Sequence, residues 1–428
     1  MPTPLRLGLA GLGTVGVGVI RMLASHSDLL SARAGRKIEM IAVSARSRTK
    51  DRGVDLSGFT FEDDPISLAC RDDIDVFVEL IGGEDGPAKA AVDAALNAGK
   101  HVVTANKAML AIHGQSLAEK AERAHVELRF EAAVAGGIPV IKALTEGLAG
   151  NQISRVMGVM NGTCNYILTR MENEGVSYNE VFADAQALGY LEADPNLDVG
   201  GIDAGHKLAL LSAISFGTKV NFSGVELEGI QRISITDIEQ ARDMGFRIKL
   251  LGVAQITGRG LEQRMQPCLV PASSALGQLE NAANMVVLEG DAVGRVVLRG
   301  AGAGEGPTTS AVMSDVIDIA RGFRRFTFGQ PASSLKDIQA AQVSAAAAFY
   351  LRLTLKDAPG ALAKITRALA DAGVSIDRMR QYGHENTAAP VLMVTHKTTR
   401  AELNHALQGI SDTGVTLDEP VAIRIEDV

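Results

Sequence analysis

The chain has 428 residues, room for about three domains of ordinary size. It is 46% hydrophobic and 21% charged, the composition of a globular protein with ample core material. A net charge of −8 argues against a nucleic-acid or anionic-membrane surface, no run reaches the ~18 apolar residues of a membrane span, and three scattered cysteines (Cys70, Cys164, Cys268) form neither a disulfide framework nor a zinc pattern.

LRLGLAG (5–11) is an apolar run of strand length, followed by GLGTVG (11–16) and then VGVIRMLASHS with helical spacing. The first twenty residues contain only Arg6 as a basic residue and carry regularly placed glycines, unlike a secretory leader. The expected compartment is a reducing cytoplasm, with no membrane partner. KIEMIAVSA (37–45) and DIDVFVELIGG (73–83) read as further strands, GPAKAAVDAALNAGK (86–100) as an Ala-rich helix, and HVVT (101–104) as another strand. Strands alternating with helices predict a parallel, doubly wound α/β sheet.

The texture changes near residue 131. EAAVAGGIPVIKAL (131–144) reads as a Gly/Pro turn entering a helix, and RVMGVMNGTCNYILTRM (155–171) as a strand running through NGT into a helix. IKLLGVAQI (248–256) and RVVLRG (295–300) are strand-like. GAGEGPTTSAVMSDVIDIARG (302–322) is a glycine loop and then a helix starting at Pro307. Residues 326–348 lack a clear period and read as a linker. The last eighty residues follow the order β-α-β-β-α-β, a ferredoxin-like pattern. The expected division is a Rossmann-type nucleotide-binding domain at 1–130, completed by about 302–325. An α+β substrate and dimerisation domain at 131–301, the linker, and a small regulatory domain at 349–428 follow.

Gly11, Gly13 and Gly16 form G-x-G-x-x-G between a strand and a helix, the context that gives this pattern meaning. The first glycine permits the turn, the second lets backbone approach a pyrophosphate, and the third lets helix and strand pack closely. Leu12, Thr14 and Val15 belong to the same turn. NAD enzymes place an acid at the end of the second strand, but here Arg46 and Arg48 follow it, and guanidinium suits a 2′-phosphate. NADP is therefore the expected cofactor, with NAD also possible; the alternative is that both arginines are solvated surface charges. Lys107, just past a strand's carboxyl end, is a candidate for contact with cofactor and substrate or else a plain surface lysine.

EADPNLDVGGIDAGHK (192–207) gathers Glu192, Asp194, Asp198 and Asp203 ahead of Lys207. Asp203 and Lys207 lie one helical turn apart, and an i,i+4 ion pair alone would account for them. The three preceding acids and the glycines make a structured polar insert instead, and functional residues concentrate in such loops. The spacing is not that of an EF-hand, and a lysine repels cations, so an amino acid's ammonium is a better match than a divalent metal. Lys207 would then serve a reacting oxygen.

The chain resembles the homoserine dehydrogenase family. GLGTVG, TANK (104–107), EAAVAGGIPVI (131–141), NGTCNYIL (161–168) and GYLEADPNLDVGGIDAGHKLALL (189–211) match that family in order, and the final unit looks like an ACT domain. The resemblance implies NAD(P)-dependent interconversion of L-homoserine and L-aspartate 4-semialdehyde in threonine, methionine and isoleucine biosynthesis. It implies Lys207 as proton donor, Lys107 assisting, and Asp203, Glu192 and the Gly189 backbone on the substrate, with Tyr190, Thr163 and Asp198 nearby. Gly302 falls on a loop returning to the cofactor. Glu131 and the carbonyls of Val134, Gly136 and Ile138 resemble a monovalent cation site, for sodium. The ACT unit implies an amino-acid effector, threonine, and assembly as a homodimer or homotetramer. A regulatory sensor without turnover, or a semialdehyde dehydrogenase using Cys164 as nucleophile, are the alternatives.

Overall fold

The computed structural model describes residues 2–191, 194–341, 344–381 and 388–428. Its first sheet contains β1 (Leu5–Ala10), β2 (Ile38–Ser44), β3 (Thr60–Glu62), β4 (Val76–Glu79), β5 (His101–Thr104) and β6 (Leu128–Arg129). All neighbours in it pair parallel, in the order β3-β2-β1-β4-β5-β6. This is the order of a doubly wound dinucleotide-binding sheet, whose crevice opens where the order reverses, between β1 and β4. Alternate residues feed two cores. Leu7, Leu9, Val76, Val78 and Val103 pack with the helices Thr14–Ser25 and Glu305–Ala320. Ala10, Phe77 and Val102 pack with the helices Pro87–Asn97 and Lys107–Arg123. Burial on both faces explains why these strands read as continuous apolar runs.

The helix expected from Pro307 begins at Glu305, with Gly304 at its cap. It returns the chain to the first sheet, closing the nucleotide-binding unit from the far end of the sequence.

The second sheet contains β7 (Ile153–Val159), β8 (Glu226–Leu227), β9 (Phe246–Thr257), β10 (Gly260–Pro271), β11 (Ala283–Gly290), β12 (Gly294–Ala301), β13 (Ala348–Lys356), β14 (Ile376–Gln381), β15 (Ala388–Thr395) and β16 (Val421–Ile425). Their order is β12-β11-β7-β9-β10-β16-β13-β15-β14, with β8 beside β10. The last four strands and the helices Ala361–Asp371 and Arg400–Asp412 have a core of their own around Leu351, Leu353, Ile365 and Leu403, the ferredoxin-like unit read from the sequence. That unit is not a detached appendage. β16 pairs parallel with β10 at Cys268–Arg424 and Leu269–Ile425, so one sheet runs through both regions. The segment 326–341 is likewise pinned, by bridges Thr218–Lys336 and Leu261–Ala340.

Candidate active site

The glycine turn has the shape its spacing implies. Gly11 has φ +101°, and a Cβ there would stand 2.3 Å from the Leu80 carbonyl oxygen. A Cβ on Gly16 would stand 2.0 Å from the Gly11 oxygen, whereas one on Gly13 would meet nothing within 4 Å. The outer glycines therefore serve packing, and the middle one leaves an open approach. The helix Thr14–Ser25 starts at Gly13 without a side-chain cap or an acid in its first turn, so its N–H groups are left for an anion. These residues fit a dinucleotide pyrophosphate. Leu12 and Thr14 flank the turn, and Val15 lines the cleft described below.

Beyond β2, Arg46 is exposed, while Arg48 donates to the Phe61 carbonyl at 2.8 Å with its guanidinium 4.9 Å from that ring's centre. Arg52, which sequence reasoning passed over, donates to Leu12 O at 3.2 Å and Ser47 O at 2.6 Å. It ties the arginine loop to the glycine turn. A short-range motif search misses it because its partners lie 40 and 5 residues away.

The ends of β4 and β5 place Lys107. Glu79, fully buried, accepts from the Ile81 and Gly82 N–H groups at 2.7 and 2.9 Å and from the Thr104 hydroxyl at 2.5 Å. Thr104 accepts from the Asn106 N–H at 3.0 Å, and the Asn106 side chain caps the next helix by accepting from Met109 N–H at 3.1 Å. Lys107 is the first residue of that helix, so its position follows from this cap.

Opposite it stands the helix Ile202–Phe216, entered through Gly201 at φ +81°. Asp203, 6% exposed, receives Lys107 Nζ at 2.7 Å on Oδ1 and Lys207 Nζ at 2.8 Å on Oδ2. Lys207 also donates to the Met160 carbonyl at 2.9 Å, at the end of β7. Burial alone would push the Asp203 carboxyl up; the charges of Lys207 and Lys107 outweigh it and hold the group well below the usual carboxylate range. Next to the cluster, burial draws His206 down to about 4, and its ring rests 4.2 Å from that of Phe222. His206 is thus neutral at physiological pH.

The acid loop closes the opposite wall. Thr163 Oγ1 donates to the Tyr190 carbonyl at 2.9 Å, and Tyr190, 47% exposed, meets Tyr166 edge-on. Gly189 precedes it at φ +74°. Asp198, buried, accepts from Asn161 Nδ2 at 3.0 Å, and Asn161 caps the helix Gly162–Glu174. Glu192 lies outside the described residues. The Cys164 thiol is buried and donates to the Asp198 carbonyl at 3.3 Å. Burial, with Asp198 and Asp203 nearby, pushes this thiol well above its ordinary range, so it is no nucleophile.

One cleft of about 570 Å³ brings together Val15, Lys107, Gly136, Thr163, Gly189, Tyr190, Asp198, Asp203, Lys207 and Gly302. Arg46, Arg48, Glu131, Val134 and Ile138 are not on its wall. Glu131 lies behind it, accepting from Ile141 and Lys142 N–H, both at 2.9 Å. Burial and the neighbouring Asp315 raise its carboxyl to about 7. The turn it begins carries Ala135 and Gly136 at φ +57° and +54°, and the Ile138 carbonyl accepts from Val140 N–H at 2.8 Å. Among the described residues no group of three or more His, Cys, Asp or Glu could hold a metal ion. One carboxylate beside backbone carbonyls is a hard-oxygen donor set of low charge.

A dinucleotide turn and a lysine–aspartate–lysine cluster that share one cleft define a pyridine-nucleotide-dependent oxidoreductase. The sequence matches the family Homoserine dehydrogenase, NAD binding domain over residues 11–131, Homoserine dehydrogenase over 139–317 and the ACT domain over 349–412. It is 43% identical to the homoserine dehydrogenase of Neisseria gonorrhoeae and 40% identical to that of Pseudomonas aeruginosa, covering 99% of each chain in both cases. A crystal structure of homoserine dehydrogenase from Thiobacillus denitrificans superposes with a TM-score of 0.94 at 40% identity, over 99% of both chains. A hyperthermophilic archaeal homoserine dehydrogenase in complex with NADPH superposes at 0.65 and 25% identity, over 76% of this chain and 100% of that one. The chain belongs to the homoserine dehydrogenase family and is an oxidoreductase acting on a CH–OH group. Among the described residues no helix is long and apolar enough to cross a membrane.

Proposed function

We propose that the chain interconverts L-homoserine and L-aspartate 4-semialdehyde with a preference for NADP(H), with Lys207 as the proton donor in reduction. The bound nicotinamide supplies the hydride in reduction and accepts it in oxidation. The observation that carries the reading is Asp203 held between Lys107 and Lys207 in the cleft. Asp203 keeps Lys207 Nζ turned inward, where its proton meets the substrate's fourth-carbon oxygen. Lys107 holds the same oxygen from the nicotinamide side. Asp198 and Glu192, with the Gly189 backbone, Tyr190 and Thr163, receive the amino-acid end. The NADP preference rests on Arg46 and Arg48 standing where NAD enzymes carry an acid; Arg52 braces their loop.

In this reading Glu131 and the carbonyls of Val134, Gly136 and Ile138 take a sodium ion, which steadies the turn backing the cleft. The ACT unit binds threonine and feeds inhibition back to a step of threonine, methionine and isoleucine biosynthesis. The chain works in the cytoplasm as a homodimer or homotetramer, apart from nucleic acids and membranes. The test is consumption of NADPH and NADH with aspartate semialdehyde, with and without threonine. Turnover faster with NADPH and slowed by threonine is expected. Equal use of both cofactors overturns the preference, and indifference to threonine overturns the feedback.

A further inference from the structure

Asn284 is the second residue of β11, opposite Gly300 of β12, and only 1% exposed. Its Oδ1 is buried without a hydrogen-bond partner among the described residues. A buried amide oxygen left unpaired lowers stability, where an apolar side chain of the same shape would not. Other orphaned atoms, such as Arg129 Nε and Gln263 Oε1, sit on side chains bonded through their other nitrogens, and neither side chain lines the cleft. Asn284 does line it, together with Val15 and Lys107.

Two glycines make room for this amide. A Cβ on Gly302 would stand 1.9 Å from Asn284 Nδ2, and one on Gly162 would stand 3.4 Å from Oδ1. The side chain is thus wedged between the start of the helix Gly162–Glu174 and the loop that returns to the nucleotide-binding unit. That loop leads into the helix whose Thr309 donates to the Val15 carbonyl at 3.3 Å, one residue past the first helical turn's opening Thr14. Asn284 therefore stands on the wall where the returning loop and the dinucleotide turn meet.

In the functional reading above, the charged side chains of this cleft are already assigned, Lys107 and Lys207 to the reacting oxygen, Asp203 to Lys207 and Asp198 to the amino-acid end. Asn284 is neutral, with one acceptor oxygen and an NH2 group that donates. A second carboxamide matches it with both groups used.

We propose that the Asn284 amide pairs with the carboxamide of the nicotinamide ring and so fixes which face of the ring meets the substrate. The proposal rests on the dehydrogenase reading above. It requires Oδ1 to accept from the nicotinamide's amide N–H, a group the 3-acetylpyridine cofactor analogue replaces with methyl.

The experiment measures dissociation constants of NADP and its 3-acetylpyridine analogue for the intact enzyme and for Asn284→Leu, alongside melting temperatures. The intact enzyme should favour NADP about tenfold, one hydrogen bond's worth. Asn284→Leu should weaken NADP by more than it weakens the analogue, which keeps only the carbonyl that accepts from Nδ2, and so erase the preference. Should the leucine variant fail to fold, the intact enzyme's own preference and Asn284→Asp, which keeps an acceptor, carry the test. No discrimination by the intact enzyme, equal weakening of both cofactors, or a changed KM for homoserine with NADP binding intact would each overturn the proposal. An intact enzyme that still oxidises homoserine in that case leaves the functional reading standing; one that binds neither cofactor removes both.

Discussion

At the scale of single residues, one carboxylate does two jobs. Asp203 pairs with Lys207 on its own helix and with the half-buried Lys107 across the cleft, so a pair that looked like a helix-surface contact is part of a largely buried three-charge cluster. Exposed i,i+4 pairs contribute a few tenths of a kcal/mol, whereas removing one partner from a buried cluster costs on the order of 3 kcal/mol. Asp203→Asn should therefore lower both turnover and melting temperature. The pH dependence has a definite sign. The folded carboxyl titrates far below its unfolded value near 4, so its contribution is full above about pH 4 and is lost only as pH falls toward the folded value. The melting-temperature gap between the intact enzyme and Asp203→Asn should stay constant from about pH 6 to about pH 8 and narrow only in acid. A gap that opens or closes near neutrality would contradict the assignment. The sequence showed the Asp203–Lys207 spacing but not Lys107 beside it, because that contact joins two helices far apart in the chain. Asn284 and the Met160 carbonyl were equally hidden, being an isolated polar residue in an apolar strand and a backbone atom.

At the scale of elements, the turn after Glu131 carries its own titration. A carboxyl raised to about 7 holds its proton more tightly in the folded state than its ordinary value of 4.5 allows when unfolded. Stability is then lost as pH rises from about 4.5 to about 7, and Glu131→Gln should flatten that slope. A sodium ion bound there would favour the charged form, so adding sodium should reduce the loss in the intact enzyme and do nothing in the variant. If thermal melts show the slope but no sodium effect, the carboxyl's titration stands and the cation does not. Elements with one clear signal were legible: glycine turn, apolar parallel strands, amphipathic helix Ala361–Asp371. The strand β10 was not. Glu262, Gln263, Arg264 and Gln266 are all buried in it, and a polar run gives no periodic hydrophobic cue. The helix start at Glu305 rather than Pro307 was missed by two residues because Gly304, not the proline, sets its cap.

Those buried groups of β10 matter at the scale of the whole molecule. Arg264 pairs with Glu262 at 2.5 Å and with Glu426 at 2.9 Å; Glu426, just past β16, also takes Arg424 and Arg155. The ACT unit is thereby bonded to β7 and β10, and β7 ends near the Met160 carbonyl that holds Lys207. Glu426→Ala should cost about 3–5 kcal/mol, because it leaves buried guanidinium groups short of a partner. Chemical denaturation measures this, and a loss under about 1 kcal/mol would show the network to be dispensable. Cutting the chain before residue 349 removes the same partner and four strands of the sheet, β13 to β16, so it should disturb catalysis for structural reasons. Effector control is better tested by Asp357→Ala at the first turn of the ACT unit. That variant should keep its turnover and lose inhibition by threonine, and retained inhibition would move the effector elsewhere. The β-α-β-β-α-β order revealed this unit's fold, but its merger with the neighbouring sheet depends on a two-residue pairing that no local pattern marks.

The assignment of Lys207 is open to one direct measurement: the rate of hydride transfer in a single turnover of NADPH and aspartate semialdehyde, for the intact enzyme and Lys207→Ala. General acid catalysis contributes about 10²–10⁴-fold, so the variant should slow by that order while its NADPH dissociation constant moves less than about twofold. A Lys207→Ala enzyme that transfers hydride within about threefold of the intact rate would contradict the proton-donor role.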